Sequence, residues 1–190
     1  MLQLAGTVIA ACWIVFVVVW FIAAWFAKRA VERSGRWFRW MWIALIVAIL
    51  LAGTHGGWRS PTSARLWHTT SGLAIVAAVV TFAGLSIALW ARATIGRNWS
   101  GAIVLKDQHE LVDRGPYGHV RHPIYTGVLL MVLGAVLFWG AKAGVLLLGI
   151  VIVGLAVKAR TEERLLMKHF PEAYPRYRAR VRSWVIPFLL

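Results

Sequence analysis

The sequence predicts an all-α polytopic membrane protein with about five transmembrane helices. Three observations carry that expectation. Residues 3–27 hold no charged side chain, the chain is 60% hydrophobic and 15% charged, and 18 of its 21 lysines and arginines fall in three segments between apolar runs. An ordinary soluble domain is roughly 45–50% apolar and about 25% charged.

A bilayer span needs roughly 17–25 mainly apolar residues. Residues 4–27 form the first predicted span, 37–53 the second, with Arg39 at its edge, and 72–91 the third. From 124 to 157 the only charge is Lys142, and the stretch is about twice one span in length. Gly140-Ala141-Lys142-Ala143-Gly144 interrupts it. Glycine clusters punctuate helices, so spans four and five are expected as a tight hairpin.

The basic segments 28–39, 92–123 and 158–190 lie on one side of this arrangement, as do all seven acidic residues. The positive-inside rule makes that side cytoplasmic, with the N-terminus outside and the C-terminus inside. The expectation is a single membrane-embedded domain over 1–190 in a prokaryotic inner membrane. Residues 1–91 carry three spans, and 92–190 carry a polar loop, the hairpin and a basic C-terminal segment.

A net charge of +14 also suits a nucleic-acid binder. Topology alone accounts for the excess, so membrane lipids and no nucleic acid are the expected partners. Trp37, Trp40, Trp42, Trp90 and Trp184 are placed for interfacial depth. The arginines between 160 and 182 suit anionic headgroups. The lone Cys12 excludes a disulfide scaffold or a cysteine-based zinc site. His55 and His68 read as solvated loop histidines, so no metal site is expected.

Reactive residues concentrate in two polar stretches that flank the hairpin and start from adjacent points at the membrane surface. In the first, Gly115-Pro116 marks a turn, and Pro123 sets His122 at the N-terminus of span four. Free N–H groups there favour an anion. Arg121 adds a permanent cation, and Tyr117 and Tyr125 offer aromatic faces. The alternative reading is a capped helix start with interfacial tyrosines. In the second stretch, helical spacing puts Glu162 on one face with Leu155, Leu166 and His169, turned towards the protein. Glu163 lies about 100° away and is expected to meet solvent or a lysine. The alternative for Glu162 is an i, i+4 ion pair with Lys158.

These two stretches resemble the isoprenylcysteine carboxyl methyltransferase family over roughly residues 92–187. The resemblance is carried by His109-Glu110-Leu111-Val112, Gly115-Pro116-Tyr117, Arg121-His122-Pro123-Ile124-Tyr125-Thr126-Gly127 and Glu162-Glu163. Phe170, Tyr174, Tyr177 and Arg180-Val181 extend it. It implies a helical membrane fold, with S-adenosylmethionine as cofactor and S-adenosylhomocysteine as product. By match to the family, the cofactor contacts are His109, Glu110, Leu111, Val112, Tyr117, His122, Pro123, Ile124, Tyr125 and Glu162. Where the family carries an arginine four residues before that glutamate, this chain has Lys158. Lysine cannot make a bidentate fork to a carboxylate, so Arg160 and Arg121 join Lys158 as candidates for holding the acceptor.

The expected activity is methyl transfer to an amphipathic or lipid-like acceptor at the cytoplasmic face, with Arg121, His122 and Glu162 as the catalytic set. An ionised carboxylate acceptor needs no general base, whereas an amine must first lose a proton. That favours a carboxylate acceptor, and the resemblance implies an isoprenylcysteine-type substrate methylated on its carboxyl oxygen. The alternatives are a phospholipid or amine N-methyltransferase, a nicotinamide-dependent membrane reductase, and a non-enzymatic membrane protein.

Overall fold

The computed structural model describes residues 1–25, 65–96 and 111–185. They form five α-helices: α1 (Leu2–Trp25), α2 (Ser71–Ile95), α3 (Pro123–Trp139), α4 (Lys142–His169) and α5 (Ala173–Arg180). A short 3-10 turn, Gly115–Gly118, precedes α3. No strand occurs among the described residues, and Arg65 and Ala141 make one isolated β-bridge. The protein is therefore all-α, as its composition predicts.

Helices α1, α2 and α4 are long and apolar enough to cross a membrane, and α3 is a shorter apolar helix. The 17 residues of α3 rise about 25 Å, somewhat less than the roughly 30 Å of a hydrocarbon core. These helices correspond to the first, third, fourth and fifth predicted spans. The second, 37–53, lies outside the described residues. The predicted break in the hairpin falls where expected, since α3 stops at Trp139 and α4 starts at Lys142. Gly140 closes α3 in the left-handed region, φ 63°. A Cβ there would meet the Trp67 carbonyl at 2.5 Å, so glycine is required twice over. Trp67 Nε1 donates to the Leu137 carbonyl, and Leu66 N–H donates to Gly140 O, which seals this turn against the segment leading into α2.

Among the described residues, helices α2 and α3 make the most extensive helix–helix contact. Along α2 the buried face is almost entirely small: Ala74, Ala77, Thr81, Gly84, Ala88 and Ala91. Their alternating spacing of three and four residues makes one stripe. It meets Gly127, Met131 and Gly134 on α3, where a Cβ on Gly127 would lie 2.5 Å from the Gly84 carbonyl. Apolar burial does not drive helices together in lipid, and small residues let backbones approach for dispersion and weak polar contact. Helix α1 adds Ile9 and Cys12, the latter packed with Leu85 and Met131. The large side chains point the other way. Phe21, Val79, Phe82, Leu146 and Val153 are all exposed, the reverse of a soluble core and suited to lipid.

The hairpin core joins Tyr125, Val128, Val132 and Val136 of α3 to Val151, Leu155 and Ala159 of α4. At 28 residues α4 rises about 42 Å, so its last turns extend beyond this apolar contact. Those turns, the start of α3 and the chain after α5 converge at one end of the bundle.

Candidate active site

His122 is the N-cap residue of α3, with Pro123 at the first helical position. Pro123 has no N–H to lose and already has a helical φ, so it starts the helix cleanly. The His122 carbonyl accepts from Tyr125 and Thr126 N–H. Residues 181–185 lie alongside as a strap. Arg121 N–H donates to Ser183 O and His122 N–H to Trp184 O, both at 3.0 Å, and the Thr126 hydroxyl donates to the Val185 carbonyl.

Arg121 ties three elements together. Its Nε donates to Glu163 Oε1 of α4 at 2.7 Å, while Nη1 donates to the Val181 and Arg182 carbonyls at 2.9 and 2.7 Å. Both side chains of the ion pair are only 9% exposed. This corrects the expectation that Glu163 faces solvent or a lysine. Val151, Leu155, Ala159 and Glu163 form the buried ladder of α4, each four residues from the last. The contact line against α3 follows an i, i+4 ridge and so drifts round the helix. A seven-residue spacing counted back to Leu155 selects Glu162 instead. The correction extends to Arg121, expected as an available cation, because its guanidinium is committed to Glu163 and the strap.

Glu162 is more open and sits between Lys158 and His122. Its Oε1 lies 3.7 Å from Lys158 Nζ, and its Oε2 lies 3.6 Å from His122 Nδ1. The i, i+4 pairing with Lys158 is thus present. The Lys158 ammonium also lies 5.3 Å from the Tyr125 ring centre, and Tyr125 stacks on the His122 imidazole at 5.1 Å. On the other side Trp184 meets His122 edge-on, with the Arg160 guanidinium 5.4 Å from the Trp184 ring. His122 Nε2 is 3.4 Å from Glu163 Oε1, yet it is buried and makes no hydrogen bond. The Trp184 indole nitrogen is likewise buried without a partner.

Tyr117 is buried in the 3-10 turn. Desolvation raises its hydroxyl far above the usual tyrosine range, and the nearby Glu162 charge adds to the effect. Tyr174 and Tyr177 are shifted up chiefly by the same burial, so all three are neutral donors at physiological pH. Tyr174, Tyr177 and Val181 pack with Leu111, Leu166, Met167 and Phe170, holding α5 against the end of α4. The Tyr177 hydroxyl donates to the Tyr117 carbonyl at 2.8 Å, and Arg180 pairs with Asp113. Tyr177→Phe strands that buried carbonyl, a loss of about 1–3 kcal/mol. The expected drop in thermal midpoint is roughly 2–12 °C, read in a melting curve of the purified protein.

The structure brings Tyr117, Arg121, His122, Pro123, Tyr125, Lys158 and Glu162 into one neighbourhood. Ile124 packs on the hairpin core, Leu111 packs with the tyrosines, and Val112 is partly buried. Arg160 faces outward and reaches the group only through Trp184. His109 and Glu110 lie outside the described residues, as does His55, while His68 is exposed. Sequence reasoning missed Glu163 as a buried partner and the strap as a wall of the site. The available signal for the strap was Trp184, a large aromatic two residues after the last basic residue, Arg182.

The fold and this cluster define a class: an all-helical integral membrane protein with an ionic and aromatic site at one end of a helical hairpin. Residues 75–168 match the model of the isoprenylcysteine carboxyl methyltransferase (ICMT) family, and the chain belongs to that family. The matched stretch contains Arg121, His122, Glu162 and Glu163. The chain is 32% identical over 93 residues to protein-S-isoprenylcysteine O-methyltransferase of Schizosaccharomyces pombe, covering 47% of this chain and 39% of that protein. It is 32% identical over 136 residues to the nickel-cobalt-cadmium resistance protein NccN of Alcaligenes xylosoxydans xylosoxydans, covering 70% and 56%. The cobalt-zinc-cadmium resistance protein CzcN of Cupriavidus metallidurans is 40% identical over 83 residues, covering 42% and 38%. The chain thus matches about half, or less, of the length of these relatives.

Proposed function

We propose that the protein transfers the methyl group of S-adenosylmethionine to the carboxylate of an amphipathic, isoprenylcysteine-type acceptor at the cytoplasmic membrane surface. The observation that carries this reading is the grouping of Glu162, His122, Tyr125 and Tyr117 where α3 begins and α4 leaves the hairpin core. Membership of a membrane methyltransferase family supports it.

The residues fit the cofactor. Glu162 stands at ion-pair rather than hydrogen-bond distance from Lys158 and His122, which leaves it capacity to accept from an ammonium. His122 Nε2 is a buried polar atom with no hydrogen bond, at the helix terminus where a carboxylate is favoured. Tyr117 and Tyr125 provide aromatic surface for a purine. When bound, the cofactor supplies an electrophilic methyl group on a sulfonium centre. The protein's own part is alignment and exclusion of water. Lys158 and Arg160 hold the acceptor's negative charge, and the acceptor's apolar chain lies among the lipid-facing helices. No side chain has to remove a proton, because the acceptor carboxylate is already ionised.

Calorimetry with S-adenosylhomocysteine on detergent-purified protein tests the reading. Wild type binds, and Glu162→Gln binds at least about tenfold more weakly, because a hydrogen bond to a charged group contributes roughly 1.5–3 kcal/mol. A folded wild type that does not bind overturns the proposal. Acceptor profiling with carboxylate and amine lipids then separates O- from N-methylation.

A further inference from the structure

The outward face of α4 changes character along its length. Leu146, Ile150, Val153 and Val157 are exposed, and so are Arg160, Arg164 and Lys168. At 100° per residue all seven fall within about 40° of one line along the helix. The opposite side is the buried ladder that ends at Glu163. A single lipid-facing stripe therefore runs apolar as far as Val157 and basic from Arg160 onward.

The switch marks the passage from hydrocarbon to headgroups. Arg160 to Lys168 rises about 12 Å, enough to cross a headgroup layer. The neighbouring basic residues of α5 are partly neutralised, since Arg176 pairs with Glu172 and Arg180 with Asp113. Arg164 and Lys168 make no ion pair among the described residues. Long basic side chains also lay their stems along apolar surface while the charge reaches outward.

We propose that Arg164 and Lys168 form a headgroup site for an anionic phospholipid, with its acyl chains lying along Val157, Val153 and Ile150. Charge complementarity and continuity with the lipid-facing stripe select a lipid over a soluble anion. The site rests on the exposure and charge of α4 alone and does not depend on methyl transfer.

The test titrates fluorescent phosphatidylglycerol into the full chain in neutral detergent, with fluorescent phosphatidylcholine as control. Each basic residue near an anionic surface contributes about fivefold in affinity. Arg164→Gln with Lys168→Gln is therefore expected to weaken phosphatidylglycerol roughly thirtyfold and leave phosphatidylcholine unchanged. Arg164→Lys with Lys168→Arg keeps the preference. Both pairs lie on the exposed face, and a melting curve verifies that each variant folds. Equal phosphatidylglycerol affinity in wild type and the glutamine variant overturns the site, as does a wild type with no preference. Competition by millimolar inorganic phosphate overturns the lipid assignment in favour of a free anion.

Discussion

Glu163→Gln is expected to destabilise the protein by about 3–5 kcal/mol, because it leaves the Arg121 guanidinium buried without a counter-charge. The thermal midpoint then falls by roughly 6–20 °C. Arg121→Met produces a loss of similar size by stranding the carboxylate. The double variant Arg121→Met with Glu163→Leu regains much of the stability, since a buried ion pair replaced by well-packed apolar groups is often neutral. Its binding of S-adenosylhomocysteine is nevertheless expected to stay weak, because the strap loses the two hydrogen bonds that Arg121 Nη1 gives to Val181 and Arg182. Stability restored without ligand binding identifies the pair as a positioning device for His122. Restoration of both would mean that the strap holds its place without the guanidinium.

Gly127→Val is the second large effect. The first added carbon meets the Gly84 carbonyl at 2.5 Å and the Ala88 Cβ at 2.8 Å, and neither neighbour is a flexible side-chain tip. Overpacking of this kind costs about 1–3 kcal/mol, occasionally more. Here two helix backbones must separate, so the upper end of that range is expected. Gly127 is also only five residues from His122, so ligand binding should fall with stability. Gly149→Val is the control, because a Cβ at Gly149 has nothing within 4 Å. A midpoint for Gly127→Val equal to that of Gly149→Val would show that the α2–α3 contact is looser than its glycines imply.

Much of this architecture is readable from residue type and local spacing. The hairpin break follows from the Gly140–Gly144 cluster, the cap at His122 follows from Pro123, and the Lys158–Glu162 pair follows from helical period. Each is a short-range property. The small-residue stripe of α2 was equally regular, but its meaning depends on a partner helix that the sequence does not identify. The expectation that Glu163 meets solvent failed for a related reason. Adjacent residues differ by about 100°, and which one is buried depends on how α4 crosses α3 and on Arg121 reaching it from 42 residues away. The strap is least legible of all, because backbone hydrogen bonds carry no side-chain signature.

That strap also has a consequence for biosynthesis. The hairpin is local, and α3 and α4 can pair as soon as both have left the ribosome. Arg121, by contrast, waits for the Val181 carbonyl, 60 residues downstream. Insertion into the bilayer and completion of the site are therefore separate events, with the greasy framework assembled before its ionic end closes. During that interval Arg121 and Glu163 already have one another as partners. The hairpin by itself thus pairs this buried charge, and residues 181 and 182 then lock it in register.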